Sequence, residues 1–397
     1  MALSKIDVAN MVTGAVPVAN GGTALTSGFV NGKDPRVNAK PIIINGDMAV
    51  AQRATSEASV TTTSYNTCDR MQLVCNTMGT HTITQESLTS GAAYEAGFHN
   101  AWRLDVTTAD SSPASGDVLY PRYKIESQDL SMFKKGTSGA EAFTLAFWVK
   151  SNKTGNAQVN FYDIDNTRLC SGTYSISSAN TWEHKVINIA ADTTGAWADD
   201  NGEGLRIEWR LDSGSNATSG ATPTAWEAQN AADRDVAGQL QIARSTDNDW
   251  AITGIQLEVG TFTSATLPPF QFETFAENLA RCQRYYQKTY KYGVYAATAT
   301  ETGIITQFMG ADASGSASSY SAHTSEWKVP MRSDPSVTVF DRQGNSGKLT
   351  YVSQNFTRSD NKNYTAWYQT NNLFAFYNHS DQSKAGCQWH YIADSEL

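Results

Sequence analysis

Charge is scarce in this chain. Asp, Glu, Lys and Arg make up only 17% of its 397 residues, so Ser, Thr, Asn, Gln and Gly must cover much of the surface. Aromatic residues reach 11%, which excludes a disordered polyampholyte and favours a β-rich fold with polar loops. Cysteine is rare, odd in number and scattered, at Cys68, Cys75, Cys170, Cys282 and Cys387. That excludes a disulfide framework. No apolar run approaches a transmembrane span. Asp7 falls where a secretory signal would need its apolar stretch, so no signal peptide is expected. Together these features place assembly in a reducing cytoplasm. No Lys/Arg cluster is present, net charge is −9 and the pI is about 5.2. Nucleic acid is therefore not an expected partner, nor is membrane insertion. No long-period repeat marks a solenoid or propeller. Gly-x-Ser-x-Gly, His-Glu-x-x-His and Cys-x-x-Cys are all lacking, so no enzyme activity and no cofactor are expected.

What is present reads as four segments. Residues 1–40 are small, polar and turn-rich, which suits an extended arm. Residues 41–269 carry many short strand-like runs at short spacing, with no helical pattern between them. Ile42-Ile43-Ile44, Arg70–Cys75, Thr80–Gln85, Ala101–Thr107, Phe143–Lys150, Ala157–Tyr162, Thr173–Ile176, Trp182–Ile189, Leu205–Leu211 and Trp250–Val259 are the candidates. This pattern predicts a β-sandwich of jelly-roll type. Residues 270–288 hold the one convincing helix, over Phe272–Tyr286. Thr274 and Glu277 fit a capping box, and Phe275, Leu279, Cys282 and Tyr286 recur at helical spacing. Residues 289–397 return to strand patterns and predict a second C-terminal β-sandwich. Its runs include Tyr292–Ala297, Glu326–Val329 and Gln388–Ile392, and a loop is expected over 310–321. The fold class is all-β.

Two stretches resemble a known family. Val16–Ser27 (VPVANGGTALTS) resembles a linker segment of bacteriophage tail fibres, carried by Val16, Pro17, Asn20, Gly21, Gly22 and Thr23. Asn45–Arg53 (NGDMAVAQR), with Tyr65 and Cys68-Asp69-Arg70, resembles the start of the lectin-like β-sandwich of the same proteins. Ile252–Arg284 resembles its end: a last strand, a proline crossover, and a helix closing on Cys282-Gln283-Arg284-Tyr285-Tyr286. Met71 stands where that family usually has an aromatic residue. The resemblance implies a homotrimeric, stubby receptor-binding fibre located in the virion tail. Its arm would attach to a tail, baseplate or other virion protein, and its tip would bind host surface polysaccharide. A capsid-anchored fibre or decoration protein shares these features. A carbohydrate-active enzyme or its binding module is a further alternative.

Residues that could carry chemistry are few. Asp163-Ile164-Asp165-Asn166 and Asp199–Glu203 cluster oxygen ligands suited to Ca²⁺, yet neither has full EF-hand spacing, and solvated turns are the expectation. Glu183 and Glu208 are the carboxylates a glycosidase pair would draw on. The six histidines show no ligand spacing. Trp148, Trp182, Trp209 and Trp250 lie in strand patterns and are expected in the core. Trp226, Tyr320, Trp327 and Tyr364 lie in or beside polar loops, where exposed rings could stack on sugars. They are the candidate carbohydrate-binding residues.

Overall fold

The computed structural model describes residues 40–308, 321–353, 355–378 and 384–397. The arm, with Val16 to Thr23, and Tyr320 therefore lie outside the described residues. In the first half the strands are β1 (Ser56–Val60), β2 (Ser64–Tyr65), β3 (Gln72–Asn76), β4 (Thr80–Ser87), β5 (Asn100–Thr108), β6 (Val118–Glu126) and β7 (Phe143–Ser151). They continue with β8 (Gly155–Asp163), β9 (Arg168–Ile176), β10 (Glu183–Ile189), β11 (Glu203–Trp209), β12 (Asp212–Ser213), β13 (Glu227–Ala228) and β14 (Asp249–Val259). One sheet runs β1-β4-β5-β14-β7-β10, the other β13-β9-β8-β11-β6-β3-β2, with β12 also paired to β6. Every pairing is antiparallel. The central strands β5-β14-β7-β10 face β9-β8-β11-β6. The chain crosses between the sheets at most steps, giving the strand order of a jelly roll.

Alternation decides which side chains meet between the sheets. Phe143, Leu145, Phe147 and Val149 of β7 point inward and are buried, as do Leu205, Ile207 and Trp209 of β11. Trp102 and Trp250 meet edge-on at 6.2 Å in the same core. Each such side chain contributes roughly 1.5–3 kcal/mol by leaving water.

Three readings of the sequence are corrected here. Ile42–Ile44 is a turn segment, not a strand. Ile44 is buried with Cys282 and Tyr285 at the junction described below, whereas Ile43 joins the sandwich core and Ile42 packs on it half-buried. Tyr292–Ala297 also lies in turns. Strand β6 is absent from the candidate runs, and it carries Pro121, a residue that argues against a central strand. Its pairing with β11 reaches Arg122 and that with β12 begins at Leu119, so the missing N–H of Pro121 falls at the break between the two partners.

The second half contains β15 (Tyr286–Lys288), β16 (Ile305–Phe308), β17 (Ser321–Glu326), β18 (Ser336–Phe340), β19 (Leu349–Ser353), β20 (Arg358–Lys362), β21 (Thr365–Gln369), β22 (Leu373–Asn378) and β23 (Lys384–Asp394). Long β23 is the axis and pairs with β15, β16, β18 and β19. A second sheet, β17-β22-β21, packs Phe374 and Phe376 onto Trp389 and Tyr391 of β23. The connecting helix spans Phe275–Gln283, shorter than the sequence pattern, and its Thr274–Glu277 capping box is formed. Cys282 is buried, whereas Phe275 is exposed and meets Tyr292 edge-on at 5.1 Å.

The two halves meet where the family-like motifs lie. The Asn45 side chain closes its own turn by donating to Val50 O (2.9 Å) and Asp69 O (3.0 Å). Gly46 touches the Ile255 carbonyl, which a Cβ would reach at 2.3 Å. Gln52 Nε2 donates to Asp69 and to Tyr286 O. Arg53 lies 3.9 Å from the Tyr286 ring centroid and Arg70 lies 3.4 Å from that of Tyr285. Arg70, held at φ 73°, pairs with Glu396. Arg53 reaches Asp394 at 2.9 Å. Glu126 accepts from Arg284 (2.7 and 2.8 Å) and from the Tyr285 hydroxyl (2.5 Å). Burial would raise the Glu126 carboxyl, but these donors outweigh it and hold it below the usual range. The NGDMAVAQR, Cys-Asp-Arg and Cys-Gln-Arg-Tyr-Tyr stretches are thus the parts of one polar joint.

Candidate functional site

The outer face of the six-stranded sheet carries an aromatic cleft of about 320 Å³. Strand alternation builds it. With Phe147 and Val149 inward, Trp148 must point outward. His184 on β10 and Thr253 on β14 are its cross-strand partners. The His184 ring lies 4.9 Å from Trp148 with a 31° tilt. Burial pushes the His184 imidazole below its ordinary value, which favours the neutral ring. Gly254 on β14 lies beside Trp148 and Phe98 at φ 61°, where the register of β14 slips. A Cβ there would lie 2.7 Å from Phe98 and 2.9 Å from Trp148. Glycine is therefore what lets both rings approach the strand.

The Pro268-Pro269 crossover forms the other wall. Phe270 and Phe272 pack on Phe98 at 4.9 and 5.1 Å. Phe272 remains 51% exposed, and Trp148 is half-buried. Gln256 is held by its bonds to Glu258 and Pro268 O, both 3.0 Å. The cleft thus joins apolar ring surface to a few fixed polar groups, as small-ligand sites do. A larger cleft of about 460 Å³ lies beside Pro41, Met132 and Arg284. Its two arginines are already engaged, Arg284 with Glu126 and Arg281 with Glu273, and Lys40 and Asp129 also line it.

Of the aromatic residues singled out in the sequence, Trp226 lies in the first half, Trp327 and Tyr364 share the core of the second, and Tyr320 lies outside the described residues. Trp226 is half-buried against the first core, 6.4 Å from Phe143, and its indole N–H donates to Ala190 O at 2.8 Å. Trp327 is 7% exposed in the second core, lies edge-on to Tyr391, and donates to Thr370 O at 2.8 Å. Its position beside a polar loop conceals a packing role, so it offers no free face. Tyr364 packs on Phe376 at 5.5 Å in that same core. Trp209 and Trp250 are core residues, and Trp182 is buried in a satellite cluster. Trp148 departs from the core assignment, and its phase against Phe147 was the signal that places it outside.

The acidic groups are engaged within the fold. Asp163 is buried and pairs with Lys135 at 2.6 Å, and Asp165 accepts from Ser127 at 2.9 Å. Asp200 accepts from Gly202 N in a local turn. Among the described residues, no group of three His, Cys, Asp or Glu side chains is arranged to hold a metal. Glu183 and Glu208 lie on opposite sheets. Glu183 accepts from Ser177 N and Ser178 N, and Glu208 is fully buried among Arg206, Arg210 and Arg234. They form no catalytic pair.

No family model matches this chain, and no curated protein matches it. Distant likenesses exist among solved structures. A tailspike protein 4 enzymatically active domain of bacteriophage CBA120 aligns with 55% of this chain at 12% identity and a TM-score of 0.28, which is 21% of that domain's own length. TmCBM61, solved with β-1,4-galactotriose, aligns with 56% of this chain and 99% of its own at 8% identity and TM-score 0.26. A family 11 carbohydrate-binding module from Clostridium thermocellum aligns with 53% of this chain and 98% of its own, at 6% identity and TM-score 0.25. Likeness this distant carries no argument about the chain's function.

Proposed function

We propose that this protein binds carbohydrate as a structural component of a phage tail fibre. The observation that carries the binding reading is the cleft of Trp148, His184, Phe98 and Phe272, open on a jelly-roll sheet and kept open by Gly254. Ring faces there take the C–H side of a sugar, and Gln256 and His184 stand ready for its hydroxyls. The fibre reading draws its support from the motifs shared with tail fibres, whose residues interlock at one joint. In this reading the arm over 1–40 docks on a tail or baseplate protein. Three copies form the fibre, and the tip over 289–397 faces the host. Weak binding per site is multiplied by effective concentration. In this reading the protein binds without turnover, and the one carboxylate pair weighed for a glycosidase, Glu183 and Glu208, lies on opposite sheets.

The test is calorimetric titration of the full chain with oligosaccharides from bacterial surface polysaccharide, alongside Trp148→Ala. Binding by the native protein, at least tenfold weaker in the variant and without release of reducing ends, is expected. Equal binding by both would move the site elsewhere, and release of reducing sugar would overturn the non-enzymatic reading.

A further inference from the structure

The size and the polar atoms of the Trp148 cleft restrict what it can hold. Its volume of about 320 Å³ lies near the lower end of the roughly 300–1,000 Å³ typical of small-ligand sites. That suits one sugar unit with a substituent, the rest of a chain running out into solvent. Among the described residues that line it, none is Asp, Glu, Lys or Arg, and burial favours the neutral form of His184. A charged sugar would lose its hydration there and find no opposite charge in return.

The polar atoms that remain in it are specific in kind. Gln256 lines the cleft and is only 7% exposed. Its amide nitrogen has two hydrogens, and both are spent, on Glu258 Oε1 and on Pro268 O at 3.0 Å each. Both partners are acceptors, so turning the amide over would set oxygen against oxygen. Oε1 is thereby fixed as an acceptor, and among the described residues it has no partner. It is not sealed in the interior either. A buried amide held by two bonds, with an unfilled acceptor at a cleft, is oriented for a ligand's donor. Trp148 supplies the opposite group. Its indole N–H has no partner among the described residues, whereas those of Trp226 and Trp327 are bonded to carbonyls. The Cδ1 edge of that indole, next to the N–H, borders Gly254, two residues before Gln256 on β14. Around this donor and acceptor stand apolar walls, Phe98, Leu267, Phe270 and Phe272.

We infer that the cleft selects an N-acetylated amino sugar, whose acetamido N–H donates to Gln256 Oε1, whose acetamido carbonyl accepts from the Trp148 indole N–H, and whose methyl packs on the phenylalanine wall. An acetamido group carries one donor, one acceptor and one apolar end, which is the inventory of the cleft. A plain hexose offers a single hydroxyl in that place. It satisfies Gln256 but leaves the Trp148 N–H and the apolar wall unmet. The choice of sugar rests on the carbohydrate-binding reading above and concerns the same cleft.

The test uses the full chain and two trisaccharides with the same β-1,4-linked backbone, triacetylchitotriose and cellotriose, which differ only in acetamido against hydroxyl on each ring. Calorimetric titration should show the acetylated one bound about tenfold or more tightly, with little dependence on salt because no ion pair is made. Trp148→Phe keeps a ring and deletes the indole N–H, and Gln256→Met keeps the length and deletes the acceptor. Each should narrow the ratio of the two affinities by about threefold to tenfold, the net worth of one hydrogen bond. Phe272→Ala, at an exposed position, should narrow it as well through the lost methyl contact. Gln256→Met also strips Glu258 and Pro268 O of their donor, so the other two variants carry the test if it fails to fold. Equal affinity for the two trisaccharides, or a ratio that survives both Trp148→Phe and Phe272→Ala, overturns the acetamido assignment and leaves the carbohydrate reading standing. Binding of surface oligosaccharides with neither trisaccharide bound has the same consequence. If no saccharide of any kind binds, the carbohydrate reading falls with it.

Discussion

Replacing Glu396 by Gln tests whether the joint between the two halves is a structural lock. Its carboxylate pairs with Arg70, and the two side chains are 5% and 1% exposed. Removing one charge of a buried pair costs about 3–5 kcal/mol, because the other charge is stranded. Arg53 lies 3.4 Å from Glu396 but keeps Asp394 at 2.9 Å, so it does not need Glu396. The amide of Gln still offers Arg70 an acceptor, which places the expected loss near the lower bound, about 3 kcal/mol. Arg70→Met removes the opposite charge and also the contact with Tyr285, worth roughly 1–2 kcal/mol when desolvated. The double variant should be less destabilised than the sum of the singles, by about 2 kcal/mol or more, since neither charge is left alone. Urea unfolding followed by tryptophan fluorescence reads both halves, because buried tryptophans lie in each core. Native protein should unfold in one transition, and Glu396→Gln should separate it into two. A loss below about 1 kcal/mol, typical of an exposed pair, would refute the lock.

Asp69 gives a pH signature. Burial raises its carboxyl from 3.8 to about 6, against the pull of Arg53 and Gln52. The fold thus favours the protonated form. That contribution is complete below pH 4 and is lost as pH rises through 6. The stability of native protein relative to Asp69→Asn should fall by on the order of 3 kcal/mol across that window. A flat difference in chemical unfolding would contradict it. Gly254→Ala should destabilise by more than about 1 kcal/mol and abolish ligand binding in the Trp148 cleft, since both φ and the neighbouring rings oppose a Cβ. Unchanged melting temperature would refute the glycine argument. Trp327→Ala should cost about 3–5 kcal/mol without altering sugar affinity, and Trp148→Ala should do the reverse. The five buried thiols, Cys68, Cys75, Cys170, Cys282 and Cys387, are all pushed up by burial. None should react rapidly with a disulfide reagent until the protein unfolds.

Much of the fold was legible because alternation is strong where one face is dry. The runs at Phe143, Ala157, Leu205 and Trp250 all became strands of the sandwich. The Thr274–Glu277 cap was readable because both partners lie within one turn. What stayed hidden depends on contacts distant in sequence. Pro121 is tolerated in β6 only because β11 and β12 share that strand between them. Ile42–Ile44 looks like a strand, yet its neighbour Asn45 turns the chain at φ 60°. The cleft was missed for another reason. Trp148 and Phe272 are far apart in sequence, and nothing local says that a proline crossover returns over β7. The burial of Trp327 stayed hidden because an indole beside a polar loop can still bury its ring once its N–H finds a carbonyl.

The joint also sets the order in which the fold can close. Glu396 meets Arg70 across 326 positions of sequence and Arg53 across 343. β23, the axis of the second half, follows the first half's strands by more than a hundred positions. Contacts this distant close slowly and late. A chain cut short by a premature stop would lose the axis and the lock together. Its first half would be left with Arg53 and Arg70 facing no carboxylate from β23 or the residues after it. The first half therefore cannot satisfy its own buried charges until β23 and the residues after it are in place.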